Sequence, residues 1–425
     1  MGQAASPRQD FVVLPAHFNF VTCTETERRS SAADLFHFTA PRTHRRVSTY
    51  AFETITPEQA LSIQAGDYLT IAGGPASHAS VVYSAQGLIE LTLGARTVTF
   101  GADLSPLSLR GALEFRDGSR LLIGDENHQG LGGSDRGDGL YGGAGDDRIL
   151  GGGGDDLLQG NSGNDRLYGG LGSNTVYGGQ GDDTLFAADD AEMRGSFAQG
   201  NLGNDEIFGG GGNDTLLGGK GDDFIAGAAG DDYLSGDLGD DELHGGQGGD
   251  TLLGGAGNDT IQTGGGADRV LGGDGDDLII IERSGAIAQG EAGNDTIVAT
   301  SAGKDILAGG EGFDVFEFVA TTPPNDGQDD VIVDWRSEHQ LRFAPISAYS
   351  ILPRQYSEFV SSDYASALST ANSHISGAGA VWVAAQVGSD VIVFADTDGD
   401  PSNGADVAVA LVGRTLADIS LANFI

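Results

Sequence analysis

Aspartate recurs every nine residues through the middle of the chain, each time behind a cluster of glycines. The repeating unit is Gly-Gly-x-Gly-(Asp/Asn)-Asp-x-(Leu/Ile/Val)-x, with a thirteen-residue interruption from Ala187 to Gln199. Glycine permits positive φ angles and close approach of the backbone. A turn with open carbonyls beside a carboxylate therefore offers the oxygen ligands that a hard cation prefers.

The aspartates at position six of the repeat are the predicted metal ligands. They are Asp138, Asp147, Asp156, Asp165, Asp183, Asp205, Asp214, Asp223, Asp232, Asp241, Asp250, Asp259, Asp268, Asp277, Asp295, Asp305 and Asp314. Alternate repeats fall on the same side of the molecule, so stacked carboxylates repel by about 1 kcal/mol or more per pair without a cation. Calcium between them would turn each carboxylate into a ligand. Asn174 replaces aspartate in its repeat, which predicts a weaker site there.

Position eight of the repeat is apolar throughout, from Ile149 to Phe316. Side chains in a strand alternate between faces, so position eight is predicted to point into a core. The first six residues are predicted to form a turn and the last three a short strand, with two repeats making one coil. The predicted fold class is all-β: a parallel β-roll (right-handed β-solenoid) of nonapeptide repeats over residues 124–317, with small β domains at both ends.

This pattern resembles the repeats-in-toxin (RTX, hemolysin-type) family of calcium-binding proteins. The resemblance implies several calcium ions along both edges of the roll. It also implies export from a Gram-negative bacterium by type I secretion machinery, and a location outside the cell or on its surface. Folding would then wait for external calcium, because the binding energy of the metal is folding energy.

The composition agrees with a metal-stapled extracellular protein. The formal net charge is −40, which opposes compaction without cations and argues against nucleic-acid binding and anionic membranes. Cys23 is the only cysteine, so no disulfide forms within the chain. The sequence has no apolar stretch long enough for a transmembrane helix, and the N-terminus has no apolar signal core.

The region before the repeats divides in two. Residues 1–46 are basic and weakly patterned, and are predicted to be a disordered extension; one hypothesis is that Val47 is the true initiator. Residues 47–123 are predicted to form a small β domain. Its predicted strands are Leu61–Ile63, Tyr68–Ile71, Ser80–Tyr83, Leu88–Leu93 and Arg96–Phe100.

Residues 318–425 are predicted to be a β-rich capping region, because a solenoid end exposes its core and unpaired edges. Predicted strands lie at Asp330–Trp335, Val381–Ala384, Asp390–Ala395 and Asp406–Leu411. The segment Asp396–Asp400 is interpreted as a hairpin turn or as the start of a calcium loop, with Val407 where an EF-hand needs glutamate. The apolar end, Leu421–Ile425, resembles a type I secretion signal and is also compatible with an ordinary final strand.

A search of the sequence for catalytic motifs finds no His-Glu-x-x-His zinc site, no Gly-x-Ser-x-Gly elbow and no phosphate loop. The predicted function is therefore a non-catalytic, calcium-binding extracellular protein with a structural, surface-layer, matrix or adhesion role. Two alternatives stay open: a secreted enzyme whose catalytic unit lies in residues 47–123 or in the C-terminal region, and a module that binds surface polysaccharide. Self-assembly and a cell-surface polysaccharide are the possible partners besides calcium and the secretion machinery.

Overall fold

A computed structural model describes residues 47–64, 67–84, 86–111, 113–189, 193–283, 285–300, 304–319, 330–343, 356–378, 382–396 and 405–425. The predictions for residues 1–46, including disorder and the alternative initiator, lie outside these residues. So does most of the Asp396–Asp400 segment. Residues Val47–Ile425 form one compact unit, and the domain boundaries proposed within it stay predictions.

The N-terminal part combines two three-stranded sheets with two short helices. Its elements are β1 (Thr49–Ala51), α1 (Pro57–Leu61), β2 (Tyr68–Ile71), β3 (Ala79–Tyr83), β4 (Ile89–Leu93), β5 (Arg96–Phe100), α2 (Leu104–Leu109), β6 (Leu113–Phe115) and β7 (Leu121–Ile123). Strands β1, β2 and β6 pair in parallel, and β3, β4 and β5 form an antiparallel meander.

The strand predicted at Leu61–Ile63 is wrong, because Leu61 ends helix α1. Thr56 caps this helix: its hydroxyl accepts a hydrogen bond from Gln59 N, and the Gln59 side chain accepts one from Thr56 N. Pro57 at the first helical position adds a preformed φ angle. These helix-start signals outweigh the short apolar segment between turn residues from which the strand was predicted.

The repeats build two parallel sheets that share one core. The twelve-stranded sheet consists of β8 (Gly130–Gly132), β10 (Arg148–Gly153), β12 (Arg166–Leu171), β14 (Thr184–Phe186), β16 (Glu206–Gly211), β18 (Phe224–Ala229), β20 (Glu242–Gln247), β22 (Thr260–Gly265), β24 (Leu278–Ile281), β26 (Thr296–Ala299), β28 (Val315–Phe318) and β30 (Gln340–Phe343). The sixteen-stranded sheet contains β7, β9 (Gly139–Ala144), β11 (Leu157–Ser162), β13 (Thr175–Gln180), β15 (Phe197–Leu202), β17 (Thr215–Lys220), β19 (Tyr233–Leu238), β21 (Thr251–Ala256), β23 (Arg269–Asp274), β25 (Ile287–Ala292), β27 (Ile306–Glu311) and β29 (Asp330–Ile332), followed by four strands of the C-terminal region. Successive repeats alternate between the sheets, which confirms the parallel β-solenoid.

Most of these strands are six residues long, not three as predicted. In Arg148–Gly153, for example, positions seven to nine of one repeat continue into positions one to three of the next. The turn is correspondingly only three residues long. Glycine at position two carries the chain through a positive φ, as at Gly152 (104°), while the chain stays paired with the next coil on both sides of it, Leu150 with Tyr168 and Gly153 with Leu171. The prediction missed this because it read every glycine as part of a turn.

Position-eight side chains form the core of the roll, as predicted. Leu158, Val176, Leu216 and their counterparts are fully buried, stacked in register along each sheet. The interruption after Ala187 hides one further repeat, because Ala198 pairs with both Val176 and Leu216. Alanine at position eight concealed this repeat from the pattern. Burying each aliphatic side chain contributes about 1.5–3 kcal/mol.

The C-terminal region caps the roll with β31 (Tyr356–Ser361), α3 (Tyr364–Ala378), β32 (Trp382–Val387), β33 (Asp390–Ala395) and β34 (Val407–Leu411). Strand β34 pairs in parallel with β29 and antiparallel with β33, so the cap extends the sixteen-stranded sheet. The prediction found strands β32, β33 and β34 but missed strand β31 and the fifteen-residue helix α3. Its alanine-rich buried face packs on the cap through Ala367, Ala371 and Ile375. Near the chain end, the Phe424 ring stacks on Trp382 with centroids 4.9 Å apart.

Candidate metal sites along the two edges of the roll

The position-six residues line up in two ladders, one along each edge of the roll. The first ladder contains Asp138, Asp156, Asn174, Ser196, Asp214, Asp232, Asp250, Asp268, Ala286, Asp305 and Asp330, and Ala286 interrupts it because alanine has no side-chain oxygen. The second contains Asp147, Asp165, Asp183, Asp205, Asp223, Asp241, Asp259, Asp277, Asp295, Asp314 and His339. The predicted stacking of aspartates from alternate repeats is thus present.

A repeated hydrogen bond connects each ladder, with a break in the first ladder at Ala286. One carboxylate oxygen, Oδ1, accepts the backbone N–H of the position-six residue in the preceding coil. Asp205 N donates to Asp223 Oδ1 at 2.7 Å, and Asp223 N donates to Asp241 Oδ1 at 2.8 Å. These bonds hold each carboxylate in a fixed orientation at the turn, so only its second oxygen is left to bind anything else.

Each position-six residue is called a rung of its ladder. At almost every aspartate rung within the described residues, the second carboxylate oxygen, Oδ2, is buried and has no hydrogen-bond partner. This holds for Asp147, Asp156, Asp165, Asp183, Asp205, Asp214, Asp223, Asp232, Asp241, Asp250, Asp259, Asp268, Asp277, Asp295 and Asp305. A buried charged oxygen without a partner is strongly unfavourable. The ladders therefore need a group that the protein side chains do not supply.

Burial raises the pKa of these carboxyl groups. The pKa rises to about 8 for Asp183 and Asp223, with the charges of neighbouring rungs adding to the effect of burial. Burial likewise raises the pKa of Asp156 and Asp241 to about 7 and that of Asp205 to about 6. Hydrogen bonds from the backbone oppose the rise without cancelling it. Binding of either a proton or a cation would remove the unfavourable free energy of burying these carboxylate charges.

The unpartnered oxygens face a space that the position-one glycine leaves open. Beside Gly218, a side-chain methyl group would overlap both Asp223 Oδ2 and the carbonyl oxygen of Gly236 in the next coil. Gly227 has the same relation to Asp232 Oδ2 and to the Gly245 carbonyl. In each coil, two hydrogen-bond acceptors thus face one small space. A cation could bind both acceptors there, and so could a hydrogen-bond donor.

Asn174 shows what a donor does in this space. Its Oδ1 accepts from Asp156 N at 3.1 Å, as the aspartates do. Its amide nitrogen, in the place of Oδ2, donates to the Ala187 carbonyl at 3.0 Å. The Asn174 amide forms a hydrogen bond to this carbonyl. An aspartate at the same place would instead bring a second acceptor oxygen next to the carbonyl oxygen, and the two would repel. Aspartate rungs consequently call for a cation where the asparagine rung does not.

Three further rungs depart from the common geometry. Both oxygens of Asp138 accept bonds from the protein: Oδ1 from Arg120 N at 2.5 Å, and Oδ2 from the Ser134 hydroxyl at 2.9 Å. Ser196 replaces aspartate in the repeat hidden by the interruption. At Asp268 the position-one glycine is replaced by the fully buried Thr263, whose side chain enters the space beside the carboxylate.

The structure extends both ladders beyond the residues found from the sequence. Asp330 accepts the backbone N–H of Asp305 at 2.9 Å. His339 ends the second ladder, with its Nδ1 3.3 Å from Asp314 N and 3.0 Å from Asp314 Oδ2. Both residues lie after the glycine pattern has ended, so the nine-residue template could not find them. Their position before a short apolar strand, as in every repeat, is the signal that remains.

The donor set fits calcium better than a transition metal. No three His, Cys, Asp or Glu side chains converge within the described part of the chain. Each space instead combines a carboxylate oxygen with backbone carbonyl oxygens, and calcium accepts both kinds of ligand in flexible geometry. A donor set of carboxylate and carbonyl oxygens does not favour soft metals or metals that prefer imidazole ligands.

Comparison with known families agrees with this chemistry. The model of the RTX calcium-binding nonapeptide repeat (4 copies) matches residues 130–167, 159–191, 197–225, 208–243, 217–252, 244–279 and 287–316. This chain is an RTX-type protein. The RTX repeats bind calcium ions, several per stretch of repeats, and proteins that carry them are typically secreted by Gram-negative bacteria.

One solved structure similar to this RTX protein is the extracellular lipase LipA from Serratia marcescens, at 19% sequence identity and a TM-score of 0.16. The alignment covers 55% of this chain and 45% of the lipase, so the chain spans less than half of the lipase's length. No curated protein matches the chain. None of the helices in the described residues is long and apolar enough to cross a membrane.

Proposed function

We propose that this RTX protein is a non-catalytic extracellular calcium-binding protein with a structural role in a surface layer, matrix or adhesion. The observation that carries the proposal is the row of buried Oδ2 atoms without hydrogen-bond partners along both edges of the roll. A roll built around that many metal-dependent rungs makes up most of the described chain. Its regular surface is suited to scaffolding.

The position-six aspartates act as the calcium ligands in this proposal. Each supplies Oδ2, while Oδ1 stays bonded to the backbone of the neighbouring coil. Carbonyl oxygens of the position-one residues, such as Gly236 beside Asp223, complete the oxygen set. Asn174 and Asp138 are already satisfied by protein groups, so their rungs bind calcium weakly or not at all.

Calcium also controls when the protein folds. With a formal charge of −40 and unpartnered buried carboxylates, the roll without metal is opposed by both long-range repulsion and desolvation. Low calcium inside a Gram-negative cell would keep the chain extended for the type I machinery, with Leu421–Ile425 in the secretion signal. Calcium outside would then supply the binding energy that folds the roll.

A calcium titration followed by far-UV circular dichroism and light scattering tests the proposal, with magnesium as the matched control ion. We expect a cooperative gain of β signal with calcium alone, because magnesium demands a stricter octahedral geometry and gives up water reluctantly. Growth of scattering after folding supports assembly. A chain that is fully folded in chelator, or that stays unfolded in millimolar calcium, contradicts the proposal.

A further inference from the structure

A groove of about 1500 Å³ lies on the outer face of the sixteen-stranded sheet. Strands β9 to β19 form its floor, and the N-terminal hairpin around Val82 and Tyr83 contributes a wall. Position-six aspartates do not line it. The groove is therefore separate from the two calcium ladders and has a different chemistry.

The floor of the groove contains three residues in a backbone conformation that normally requires glycine. Asn161, Asn201 and Asp237 occupy position two of their repeats with φ angles of 78°, 83° and 74°. Position two is glycine in the intervening coils, at Gly179 and Gly219. A side chain in the left-handed region costs on the order of 1 kcal/mol relative to glycine. Polar side chains thus occupy alternate coils at positions where glycine would fit better.

Each of the two asparagines lies beside a glutamine on the same face. Gln159 precedes Asn161 by two residues, and Gln199 precedes Asn201 by two, so each pair projects from one strand into the groove. The glutamine amides make no hydrogen bond within the described residues, and the asparagine amides make only long contacts of 3.5 and 3.4 Å to backbone carbonyls. The pairs therefore offer unused donors and acceptors.

The N-terminal wall adds an apolar surface beside the two pairs. Val81, Val82 and Tyr83 of strand β3 line the groove, and the Tyr83 hydroxyl donates a hydrogen bond to the Gly124 carbonyl at 3.3 Å. Strand β13 lies between the strands that carry the two pairs. Strands are about 4.8 Å apart, so the two amide pairs are separated by roughly 10 Å. This separation is comparable to a disaccharide unit in an extended β-linked chain. Hydroxyl groups of the sugar would meet the amides, and a sugar ring face would meet the wall that contains Tyr83.

We propose that this groove binds an extended neutral polysaccharide. Four acidic residues and one basic residue also line the groove, namely Asp103, Asp125, Glu126, Asp237 and Lys220, while strands β11 and β15 offer amides. The net charge of −40 disfavours a polyanion. The proposal goes beyond calcium binding and needs only that the roll be folded.

The test uses the full chain in calcium and a panel of soluble neutral probes: cellohexaose, laminarihexaose and mannohexaose, with oligogalacturonate as the anionic comparison. The variant is Asn161→Gly with Asn201→Gly, which removes both amides and relaxes both backbone positions, so it folds at least as well as the parent. Glu291→Gly is the matched control, because Glu291 has the same conformation (φ 81°) on the same sheet outside the groove. Affinities are measured by isothermal titration calorimetry.

We expect at least one neutral hexasaccharide to bind, the double variant to weaken it at least tenfold, and Glu291→Gly to leave it unchanged. Failure of every neutral probe to bind, tighter binding of oligogalacturonate, or an unaffected double variant would overturn the proposal. Circular dichroism of the same samples separates this outcome from a failure of calcium-dependent folding, because the groove can be empty of ligand while the roll still folds on calcium.

Discussion

Asp67 in the N-terminal part and Asp223 in the roll are both buried aspartates, and they differ in one oxygen. Asp67 accepts Ser48 N at 2.9 Å through Oδ1 and Gln64 N at 3.1 Å through Oδ2. Asp223 has the same kind of bond at Oδ1, from Asp205 N, but none at Oδ2. The N-terminal part therefore completes its buried carboxylate with its own backbone, while the roll leaves one carboxylate oxygen without a hydrogen-bond partner.

The hydrophobic cores of the N-terminal part and of the roll also differ. The N-terminal core combines aromatic and aliphatic residues from sheets and helices, including Phe52, Phe100 and Leu107. The core of the roll is a single layer of aliphatic side chains per coil, such as Leu216 and Ile225, between two edges of carboxylates. A conventional core can hold the first region without metal, whereas the roll must offset two rows of buried charge.

Removal of calcium should separate the two regions most clearly. In chelator we expect backbone amides of the roll to lose protection, because its unpartnered carboxylates then have nothing to neutralise them. Segments around Phe52 and Phe100 should keep partial protection. Hydrogen exchange followed by mass spectrometry of the intact protein measures both at once. Equal loss of protection in the two regions would show that they fold as one unit and that the comparison fails.

Filling a single cation space should have the next largest effect. In Gly218→Ala the new methyl group overlaps Asp223 Oδ2 and the Gly236 carbonyl. We expect loss of one bound calcium and a destabilisation of about 1–3 kcal/mol from overpacking. Calcium stoichiometry and urea unfolding in calcium are the measurements.

Gly132→Ala is the matched control for that variant, because a methyl group there meets no atom within 4 Å. Its calcium count and stability should stay close to those of the parent. Full calcium stoichiometry in Gly218→Ala would mean that the space beside the position-one glycine is not where the metal binds.

Exchanging aspartate and asparagine at position six tests whether the second side-chain atom, oxygen or amide nitrogen, determines the need for calcium. In Asp232→Asn the amide should bridge to the Gly245 carbonyl as Asn174 does to Ala187, so the roll loses one calcium but needs less calcium to fold. Asn174→Asp should do the reverse and destabilise the roll in chelator by about 1 kcal/mol. The measurement is the calcium midpoint by circular dichroism.

Asp231→Asn controls for the change of charge, because Asp231 is exposed and an asparagine could keep its bond to Gly249 N. It should leave the midpoint nearly unchanged. If all three variants shift the midpoint in the direction expected from net charge alone, then long-range repulsion, not the geometry of the rung, determines the calcium requirement.

The sequence alone predicted the regular repeats of this molecule. It did not predict features that lie outside the nine-residue pattern of glycine, aspartate and apolar residues. The period of nine and the apolar position eight predict coils, sheets and the stacked aspartates, because each residue type repeats its physical role. Asp330 and His339 were missed since they continue the ladders without glycine. Helix α3 was missed because its alanine and serine residues give a weak amphipathic signal. The strained amides at Asn161 and Asn201 need φ angles that no composition reveals.

Acid should partly replace calcium, and this is the smallest effect we expect. Burial raises the pKa of Asp183 and Asp223 to about 8 and that of Asp205 to about 6, above the value of about 3.9 in an unfolded chain. The folded roll then binds more protons than the unfolded chain, so its stability in chelator falls as pH rises through 6 to 8. Lowering the pH from 8 to 5.5 in chelator should therefore raise the β signal of the roll.

With calcium present the dependence should reverse, because protons then compete with the metal for Oδ2 and the calcium midpoint rises as pH falls. Circular dichroism at both pH values, with and without calcium, measures the two slopes. Light scattering is the necessary control, since the net charge shrinks towards the isoelectric point near 4.1. A β signal in chelator that is independent of pH would mean that buried carboxylates are not what separates the roll from the N-terminal part.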